Sequence, residues 1–266
     1  MPSAKRFPFP SDPAGWYHVA ESCELADGSE LRVTALGRAL RVWRDGCGGA
    51  HAARDGRGEL PVDEVNGSVL VYWDPLGRAP TWRIPPLAAC TSPDWRRTAD
   101  RAWRLRSHPQ EIGENVVDTA HILVLHGAPR LPVLDRAEAD GPFFRVESRT
   151  PADDPAAAFV SGFRVTEHGL GYAALEFEGA APLCAIARRT PAYDDVVDVR
   201  VAFFAARGGD AALADTIGAA FVERFCAEFD ADVPILEHKA HLAAPLLCEG
   251  DGPIAAWRRF CRQFYA

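Results

Sequence analysis

The sequence predicts an α+β protein in which a small β unit precedes a larger unit of antiparallel strands and helices. Residues 16–83 consist largely of short runs that alternate apolar and polar side chains, as in strands with one face in a core. Longer alternating runs return after residue 101, together with segments whose apolar residues recur at helical spacing. We therefore predict two domains, residues 1–98 and residues 99–266.

Turn signals separate the strands of the first unit. The step Asn66-Gly67 is a strong hairpin signal, because both residues tolerate a positive φ. Residues 45–58 are rich in Gly, Ala, Arg and Asp without periodicity, so we expect a loop there, and residues 1–15 are predicted to form an extended arm. Strands are predicted at residues 15–19, 30–36, 39–44, 59–65 and 67–74.

The second unit combines strands with three predicted helices. A helix over Glu111–Gly127 ends at Gly127 and Pro129, and Ala211–Ala231 is the longest helix. A final helix over Gly252–Tyr265 has Pro253 in its first turn. Residues 128–142 are predicted to be a loop. Strands are predicted at residues 103–108, 143–150, 158–167, 170–178, 181–190 and 194–206.

Composition and charge exclude several classes of protein. The chain has 266 residues, 48% of them hydrophobic and 25% charged, which is ordinary for a globular protein. The net charge of −8 argues against a nucleic-acid-binding surface, which is normally basic. No stretch of about 18 apolar residues occurs, so we expect no membrane span.

The seven cysteines are scattered singly and form no C-x-x-C pair. An odd number without such pairs argues against a disulfide framework and against a zinc ribbon. We therefore expect the reducing environment of the cytoplasm.

The segment Glu114–Gly127 is the strongest candidate for a functional site. It is mostly apolar, yet it contains His121 and His126, five residues apart, with Asp118 three residues before the first histidine. Polar groups in a buried segment are costly unless they have partners. Metal ligation explains both histidines, and hydrogen-bonded core histidines are the alternative that the spacing leaves open.

A metal site in this segment needs a locally widened helix and a third ligand. Residues five apart lie about 140° apart around a regular α-helix, so a π-type turn or a fraying helix end must bring the two imidazoles together. Asp230 and Asp232, which follow the predicted long helix, are the best carboxylate candidates. Their alternative role is to terminate that helix. Two histidines and one carboxylate are the ligand set of non-heme Fe(II) oxygenases.

Several segments resemble the Rieske non-heme iron oxygenases, in particular the 3-ketosteroid 9α-hydroxylase and cholesterol 7-desaturase branch. The resemblance covers nearly the whole chain. The matching segments are Pro13-Ala-Gly-Trp-Tyr-His-Val, Gly37-Arg-Ala-Leu-Arg-Val-Trp-Arg, Glu64-Val-Asn-Gly-Ser-Val-Leu-Val-Tyr-Trp, the motif from His108 to Gly127, and the tail from Asp232 to Tyr265.

The resemblance implies a fold and a set of site residues. The implied fold is a small antiparallel β remnant of a Rieske domain, followed by a helix-grip sheet with a long C-terminal helix and a central metal-bearing helix. His121, His126 and Asp232 correspond to the ligands of an Fe(II) ion. The same motif implies catalytic roles for Glu114, Asn115 and Asp118, of which Asp118 corresponds to the residue that links the iron to a neighbouring subunit.

The Rieske cluster motif is where this chain departs from that family. The family holds its 2Fe–2S cluster with a C-x-H pair and a C-x-x-H pair. This sequence contains neither pair, and Cys47 and His51 have the wrong spacing. We therefore expect no 2Fe–2S cluster. Without it Asp118 loses its part in electron transfer, and we predict that it orients His121, which lies three residues further along the helix.

Three functions remain open at this point. The first is a mononuclear iron enzyme that takes electrons from its substrate or an external donor, or uses the metal as a Lewis acid. The second is a non-catalytic ligand-binding protein or a partner subunit of a cluster-bearing oxygenase. The third is a metal-free enzyme with Glu114, Asp118 or His121 as general base.

The expected partners follow from the same resemblance. It implies a hydrophobic small-molecule substrate, such as a polycyclic or steroid-like compound, and a homotrimer or a mixed oligomer. The apolar residues that we consider for a substrate pocket also fit an ordinary core. They are Val117, Ile122, Leu125, Phe203 and Phe204.

Overall fold

The computed structural model describes residues 6–56, 58–207, 211–248 and 250–265. The strands within these residues are β1 (Gly15–Glu21), β2 (Glu30–Ala35), β3 (Arg38–Arg44), β4 (Ala50–Arg54), β5 (Glu59–Leu60), β6 (Val62–Val65), β7 (Ser68–Trp73), β8 (Trp95–Arg106), β9 (Val133–Asp140), β10 (Phe143–Arg149), β11 (Val160–His168), β12 (Tyr172–Gly179), β13 (Leu183–Tyr193) and β14 (Val196–Ala206). The α-helices are α1 (Ala88–Thr91), α2 (Pro109–Glu114), α3 (Thr119–Val124), α4 (Ala211–His238) and α5 (Ile254–Cys261).

The largest sheet is antiparallel and has seven strands in the order β8-β14-β13-β12-β11-β10-β9. Alternate residues of β13 and β14, such as Ala185 and Val199, face α4 and pack with Phe221 and Leu236. Helix α5 covers the β10–β12 part of the same face, where Trp257 belongs to the core. The predicted α+β class is confirmed, and the sheet with its two helices forms the larger unit.

The other face of this sheet packs against the N-terminal part of the chain. The sheet residues in between, such as Ile186 and Phe204, form a core with Trp16 of β1 and Tyr72 of β7. Strands β1, β7 and β6 form a three-stranded sheet, and β2 to β5 form a four-stranded sheet. Asn66 and Gly67 have φ of 54° and 76°, so the predicted hairpin turn is confirmed.

Two predicted loops contain strands. Strand β4 lies within residues 45–58, and Ala52 of this strand is fully buried between its neighbours. Strand β9 lies within residues 128–142 at the edge of the large sheet; most of its side chains are exposed, and half of them are charged. Both predictions were wrong because cross-strand pairing, which the local sequence does not reveal, decides these short segments.

Strand β8 starts earlier than the sequence suggests. It begins at Trp95 rather than at Trp103, and it pairs with β14 along its whole length. The predicted domain boundary at residues 98 and 99 therefore lies inside a strand of the large sheet. The division into two domains stays a prediction.

Two helix predictions need correction. The predicted helix over residues 111–127 is divided into α2 and α3, because residues 115–118 leave the helical path. Helix α4 continues past Ala231 to His238 with Pro234 inside it, so Asp232 lies within the helix and not after it. No helix in the described part of the chain is long and apolar enough to span a membrane.

The predicted N-terminal arm is docked where the structure describes it, although residues 1–5 lie outside the described residues. The Arg6 Nε atom donates a hydrogen bond to the carbonyl of Lys239 at 2.7 Å. The ring of Phe9 lies 4.5 Å from that of His108 and 5.0 Å from that of His241. The arm therefore contacts α2 and the segment that follows α4.

Candidate metal centre

The break between α2 and α3 places Asp118 and His121 at the start of a new helix. The Asp118 carboxylate caps α3 by accepting a hydrogen bond from the His121 backbone N–H at 3.4 Å. Helix α2 has its own cap, because the Nδ1 atom of His108 accepts from the Gln110 N–H at 3.1 Å. Each short helix therefore begins at its own cap, and residues 115–118 form the connection between the two helices.

The end of α3 brings the two histidines together. The backbone N–H groups of Leu125 and His126 both donate to the carbonyl of His121, at 2.8 and 3.4 Å. The second of these bonds joins residues five apart, which is the spacing of a π-type turn. The imidazole rings of His121 and His126 lie 5.1 Å apart at an angle of 79°. The widened helix end that a shared metal requires is therefore present.

Helix α4 supplies the carboxylate. Potential ligand atoms of His121, His126 and Asp232 all lie within 4.8 Å of one another. The Nε2 atom of His126 is 3.3 Å from the Oδ1 atom of Asp232, and their side chains are only 5% and 10% exposed. Asp230 is directed elsewhere, because its carboxylate accepts a hydrogen bond from Trp103 Nε1 at 2.7 Å. The structure thus distinguishes Asp232 from the other candidate.

Asp232 is a buried carboxylate with the polar side chains of both histidines and of Asn115 around it. Burial raises the pKa of Asp232, whereas His121 and His126 act to lower it. The side chain of Asn115 is within hydrogen-bonding reach of the carboxylate and also acts to lower the pKa. The pKa of Asp232 nevertheless remains above its ordinary value, since burial outweighs these partners.

The backbone of Asp118 selects the tautomer of the His121 ring. The Nδ1 atom of His121 is hydrogen-bonded to the carbonyl oxygen of Asp118. Because a carbonyl only accepts, Nδ1 donates in this bond, and Nε2 is the nitrogen left to bind a metal. Asp118 and His121 are thus in contact, but the contact to the ring comes from the main chain and the carboxylate caps the helix; the role of Asp118 in orienting His121 stays a prediction.

Glu114 lies in an ion-pair network away from the three candidate ligands. Its carboxylate accepts hydrogen bonds from Arg258 Nε at 2.6 Å and from Lys239 Nζ at 2.9 Å. Burial alone would raise the pKa of Glu114, but Arg258 and Lys239 outweigh it and hold the pKa below the ordinary value. Glu114 is thus held as an anion that fastens the C-terminal segment to α2.

Sequence reasoning missed the rest of this network. Glu111 is fully buried and accepts a hydrogen bond from His241 Nδ1 at 2.9 Å, and it lies 3.1 Å from Lys239 Nζ. The spacing of Glu111 and Glu114 places both carboxylates on one side of α2. That spacing was the available signal, but their cationic partners lie more than a hundred residues further along the chain.

Three of the predicted pocket residues belong to three different cores. Phe203 packs towards α4, and Phe204 lies on the opposite face of the sheet beside Trp16. Val117 is fully buried next to Trp257 of α5. Adjacent residues of a strand face opposite sides, so Phe203 and Phe204 do not line one pocket. Ile122 and Leu125, which are half-buried on and after α3, remain candidates.

A family model matches most of the chain. The model of the 3-ketosteroid 9α-hydroxylase C-terminal domain matches residues 71–265, which include all three candidate ligands. The chain belongs to this family.

Curated relatives agree with this assignment. A probable 3-ketosteroid-9-alpha-monooxygenase oxygenase component from Rhodococcus rhodochrous is 27% identical over 77% of this chain. The match spans only 56% of that relative, so the chain corresponds to about half its length. Cholesterol 7-desaturase from Caenorhabditis elegans is 24% identical, over 96% of this chain and 77% of the relative. The chain is thus homologous to Rieske oxygenases.

Solved structures show the same fold at lower identity. Pseudomonas putida NdmA with caffeine has a TM-score of 0.73 and 17% identity, with 93% of this chain and 89% of that chain covered. Dicamba monooxygenase bound to dicamba has a TM-score of 0.71 and 14% identity, with 96% and 97% covered. The predicted family resemblance is confirmed, and the fold is that of a Rieske oxygenase catalytic domain.

Proposed function

We propose that this member of the 3-ketosteroid 9α-hydroxylase family is a mononuclear non-heme iron enzyme that works without a 2Fe–2S cluster of its own. The observation that carries the proposal is the convergence of His121 of α3, His126 of the turn that follows α3, and Asp232 of α4. Two imidazoles and one carboxylate suit Fe(II), and His126 Nε2 lies only 3.3 Å from the buried Asp232 carboxylate.

The residues of the site each have a definable task. His121 and His126 would bind the ion through nitrogen atoms, and Asp232 through a carboxylate oxygen. An Fe(II) ion held by two histidines and one carboxylate retains open positions for O₂ activation or for Lewis-acid chemistry on a substrate. Asn115 restrains the Asp232 carboxylate, and the Asp118 carbonyl holds the His121 ring in one tautomer.

The absence of the cluster ligands supports the second half of the proposal. Neither of the Rieske ligand pairs occurs in the sequence, and His51 is engaged by Asp45 at 3.0 Å and by Glu59 at 3.4 Å. The alignment with the Caenorhabditis elegans relative runs over 349 positions, whereas this chain has 266 residues. That relative therefore carries many residues inside the matched region that this chain lacks.

The substrate class follows from the named relatives. Several of them are described as acting on 3-ketosteroids or cholesterol, so we propose a hydrophobic, steroid-like or polycyclic small molecule. Without a cluster, electrons come from the substrate or an external donor, or the reaction is redox-neutral. Ile122 and Leu125, which adjoin the two histidines in sequence, are the apolar residues best placed to contact such a molecule.

The iron content of variant proteins tests the proposal. We expect the wild-type protein, loaded anaerobically with Fe(II), to hold about one iron per chain, and Asp232→Ala to lose it. Asp230→Asn is the matched control, because Asp230 lies on the same helix but bonds to Trp103. Equal iron in wild type and Asp232→Ala would refute the ligand assignment. A Rieske absorption spectrum would refute the absence of the cluster.

A partner subunit of a cluster-bearing oxygenase is the second candidate function. The observation in its favour is the exposure of Leu123 and Val124 on α3, which are 38% and 78% exposed beside the candidate ligands. Exposed apolar side chains next to a site are typical of an interaction surface. Stable co-purification with a longer homologue, and iron-dependent activity only in that mixture, would favour this function over an independent enzyme.

The metal-free acid/base alternative receives the least support from the geometry. Glu114 is held ionised by Arg258 and Lys239, and it faces the C-terminal segment. The Nδ1 atom of His121 is committed to the Asp118 carbonyl. A metal-free preparation with undiminished activity would nevertheless overturn the iron proposal in its favour.

A further inference from the structure

A cleft lies on the face of the large sheet opposite α4. It has a volume of about 310 Å³ and is enclosed by β1 and the end of β2 on one side and by β8, β13 and β14 on the other. Asp232 belongs to α4 and therefore lies on the other side of the sheet. The cleft is thus separate from the candidate iron site.

The large-sheet wall of this cleft carries three arginines, Arg104, Arg188 and Arg200, and one aspartate, Asp198. Arg188 of β13 and Arg200 of β14 are direct cross-strand partners, and both line the cleft. Like charges in such positions repel each other and destabilise the strand pair. Among the described residues, no carboxylate lies within ion-pair distance of Arg200. The neighbouring Arg104 is neutralised, because Asp198 accepts its hydrogen bonds at 2.6 and 2.8 Å.

Arg188 is buried with part of its guanidinium unused. Its side chain is 3% exposed. Its contacts with Glu21 at 2.5 Å, Ser68 at 2.9 Å and His18 at 3.5 Å all involve the same atom, Nη1. Its Nε atom has no hydrogen-bond partner within the described part of the chain. A buried guanidinium with an unpaired N–H is costly, so a nearby negative charge would stabilise it.

The His18 side chain neither adds positive charge to the cleft nor neutralises its arginines. Burial lowers the pKa of His18 well below its ordinary value, and the nearby Arg188 and Arg200 lower it further. The imidazole is therefore neutral, and its Nδ1 atom faces Nη1 of Arg188 as an acceptor. The opposite wall includes Val19, which belongs to the core of the N-terminal strands, and the half-buried Val33, which packs against that core. The cleft thus combines a cationic wall with an apolar one.

We propose that this cleft binds a small organic anion whose carboxylate or phosphate group lies between Arg188 and Arg200 and whose apolar part lies against Val19 and Val33. Glu21 already forms an ion pair with Arg188, so an anion at this position would compensate the exposed Arg200 and accept a hydrogen bond from the unused Nε–H of Arg188. The volume is at the lower end of pockets that hold small molecules, which are typically about 300–1,000 Å³. The ligand is therefore small, and it differs in charge from the hydrophobic substrate proposed for the iron site.

Calorimetric titration of the as-purified protein tests this proposal. The probes are inorganic phosphate and phenyl phosphate in chloride buffer of constant ionic strength. We expect both to bind, phenyl phosphate more tightly, and Arg200→Gln to weaken binding by about tenfold or more. Arg164→Gln is the matched control, because Arg164 is an exposed arginine of the same sheet that lies near Glu176 and Glu178.

A thermal measurement gives a second, independent readout. In low salt without added anion, Arg200→Gln should melt no lower than the wild type, since Arg200 is exposed and has no carboxylate partner among the described residues. Phosphate should raise the midpoint of the wild type and of Arg164→Gln but not that of Arg200→Gln. Equal responses of the two variants would show general screening and would overturn the proposal. Equal affinity for the two probes would overturn the role of the apolar wall. Neither result depends on iron.

Discussion

At the scale of single residues, the backbone does as much as the side chains to build the candidate iron site. The bond from the His126 N–H to the His121 carbonyl widens the last turn of α3 and places both imidazoles on one side. The Asp118 carbonyl then leaves the Nε2 atom of His121 available as a ligand. Asp118 thus contributes its cap and its main chain, and neither contribution requires a negative charge.

Two replacements of Asp118 distinguish the capping role of its side chain from any role of its negative charge. Asp118→Asn keeps a good capping side chain, so we expect an unchanged free energy of unfolding and an iron affinity within a few-fold of wild type. Asp118→Ala should lose about 1 kcal/mol of stability in urea denaturation. If the carboxylate itself oriented His121, Asp118→Asn would instead weaken iron binding by roughly 10–100-fold in a chelator competition.

His168 provides a residue-scale prediction about acid sensitivity. It is buried between Phe143 and Tyr172, and burial, aided by Arg145, lowers its pKa from 6.5 to about 4. Between these values the unfolded chain binds a proton that the folded chain does not. The contribution of the neutral His168 to the free energy of unfolding is therefore complete above pH 6.5. It is lost as the pH falls towards 4, a change of about 3 kcal/mol.

The variant His168→Phe should make the free energy of unfolding less dependent on pH. Phenylalanine keeps the aromatic contacts, and Nδ1 of His168 has no hydrogen-bond partner among the described residues to lose. Urea denaturation at several pH values should show a smaller loss of stability between pH 6.5 and 4 than in the wild type. Part of the pH dependence should remain in the variant, because burial also lowers the pKa of His108 to about 4. Identical slopes in both proteins would contradict the account.

At the scale of elements, the site depends on how the segment after α4 is attached to α2 and α3. Glu111 and Glu114 bind this segment through Lys239, and Thr119 donates a hydrogen bond to the carbonyl of Gly250. Gly252 has a φ of 69° and lies so close to α3 that an added Cβ would be 2.0 Å from the carbonyl oxygen of Val117. The docking therefore requires glycine at this position.

Gly252→Ala should disturb both stability and iron binding. Gly28→Ala is the matched control, because Gly28 has a φ of 71° but open space around its Cβ position. The control should lose only about 1–2 kcal/mol from backbone strain and keep its iron. Gly252→Ala should lose more stability in urea denaturation and bind iron more weakly, because α3 is displaced. Equal losses in the two variants would show that the close contact with Val117 is unimportant.

Local sequence signals predicted some elements well and failed at others for physical reasons. The Asn66-Gly67 turn follows from residue chemistry alone, and the structure confirms it. The division between α2 and α3 was missed because Asp118 fits two roles. The helical periodicity allows it inside one long helix, and its side chain also suits the start of a new helix, so the sequence does not decide between the two. Strands β4 and β9 were missed because neighbouring strands, and not local propensity, hold them in place.

At the scale of the whole molecule, the chain is a Rieske oxygenase catalytic fold whose sequence lacks the cluster ligands. The sequence identified the three candidate ligands through the motif and the tail, and the fold brings them together across more than a hundred residues. Sequence reasoning left Asp230 and Asp232 as alternatives until the resemblance favoured Asp232, because only the rotation of α4 on the sheet decides which carboxylate faces the histidines. The cleft at Arg188 and Arg200 was not foreseen, since it depends on strand register.

The most direct test of the central proposal is the Mössbauer spectrum of the protein after anaerobic loading with isotopically enriched iron. We predict a single high-spin ferrous signal that disappears in Asp232→Ala and persists in Asp230→Asn. Such a spectrum would show one mononuclear site with the proposed carboxylate ligand. The signal of a 2Fe–2S cluster, or the absence of any bound iron in the wild type, would contradict the account.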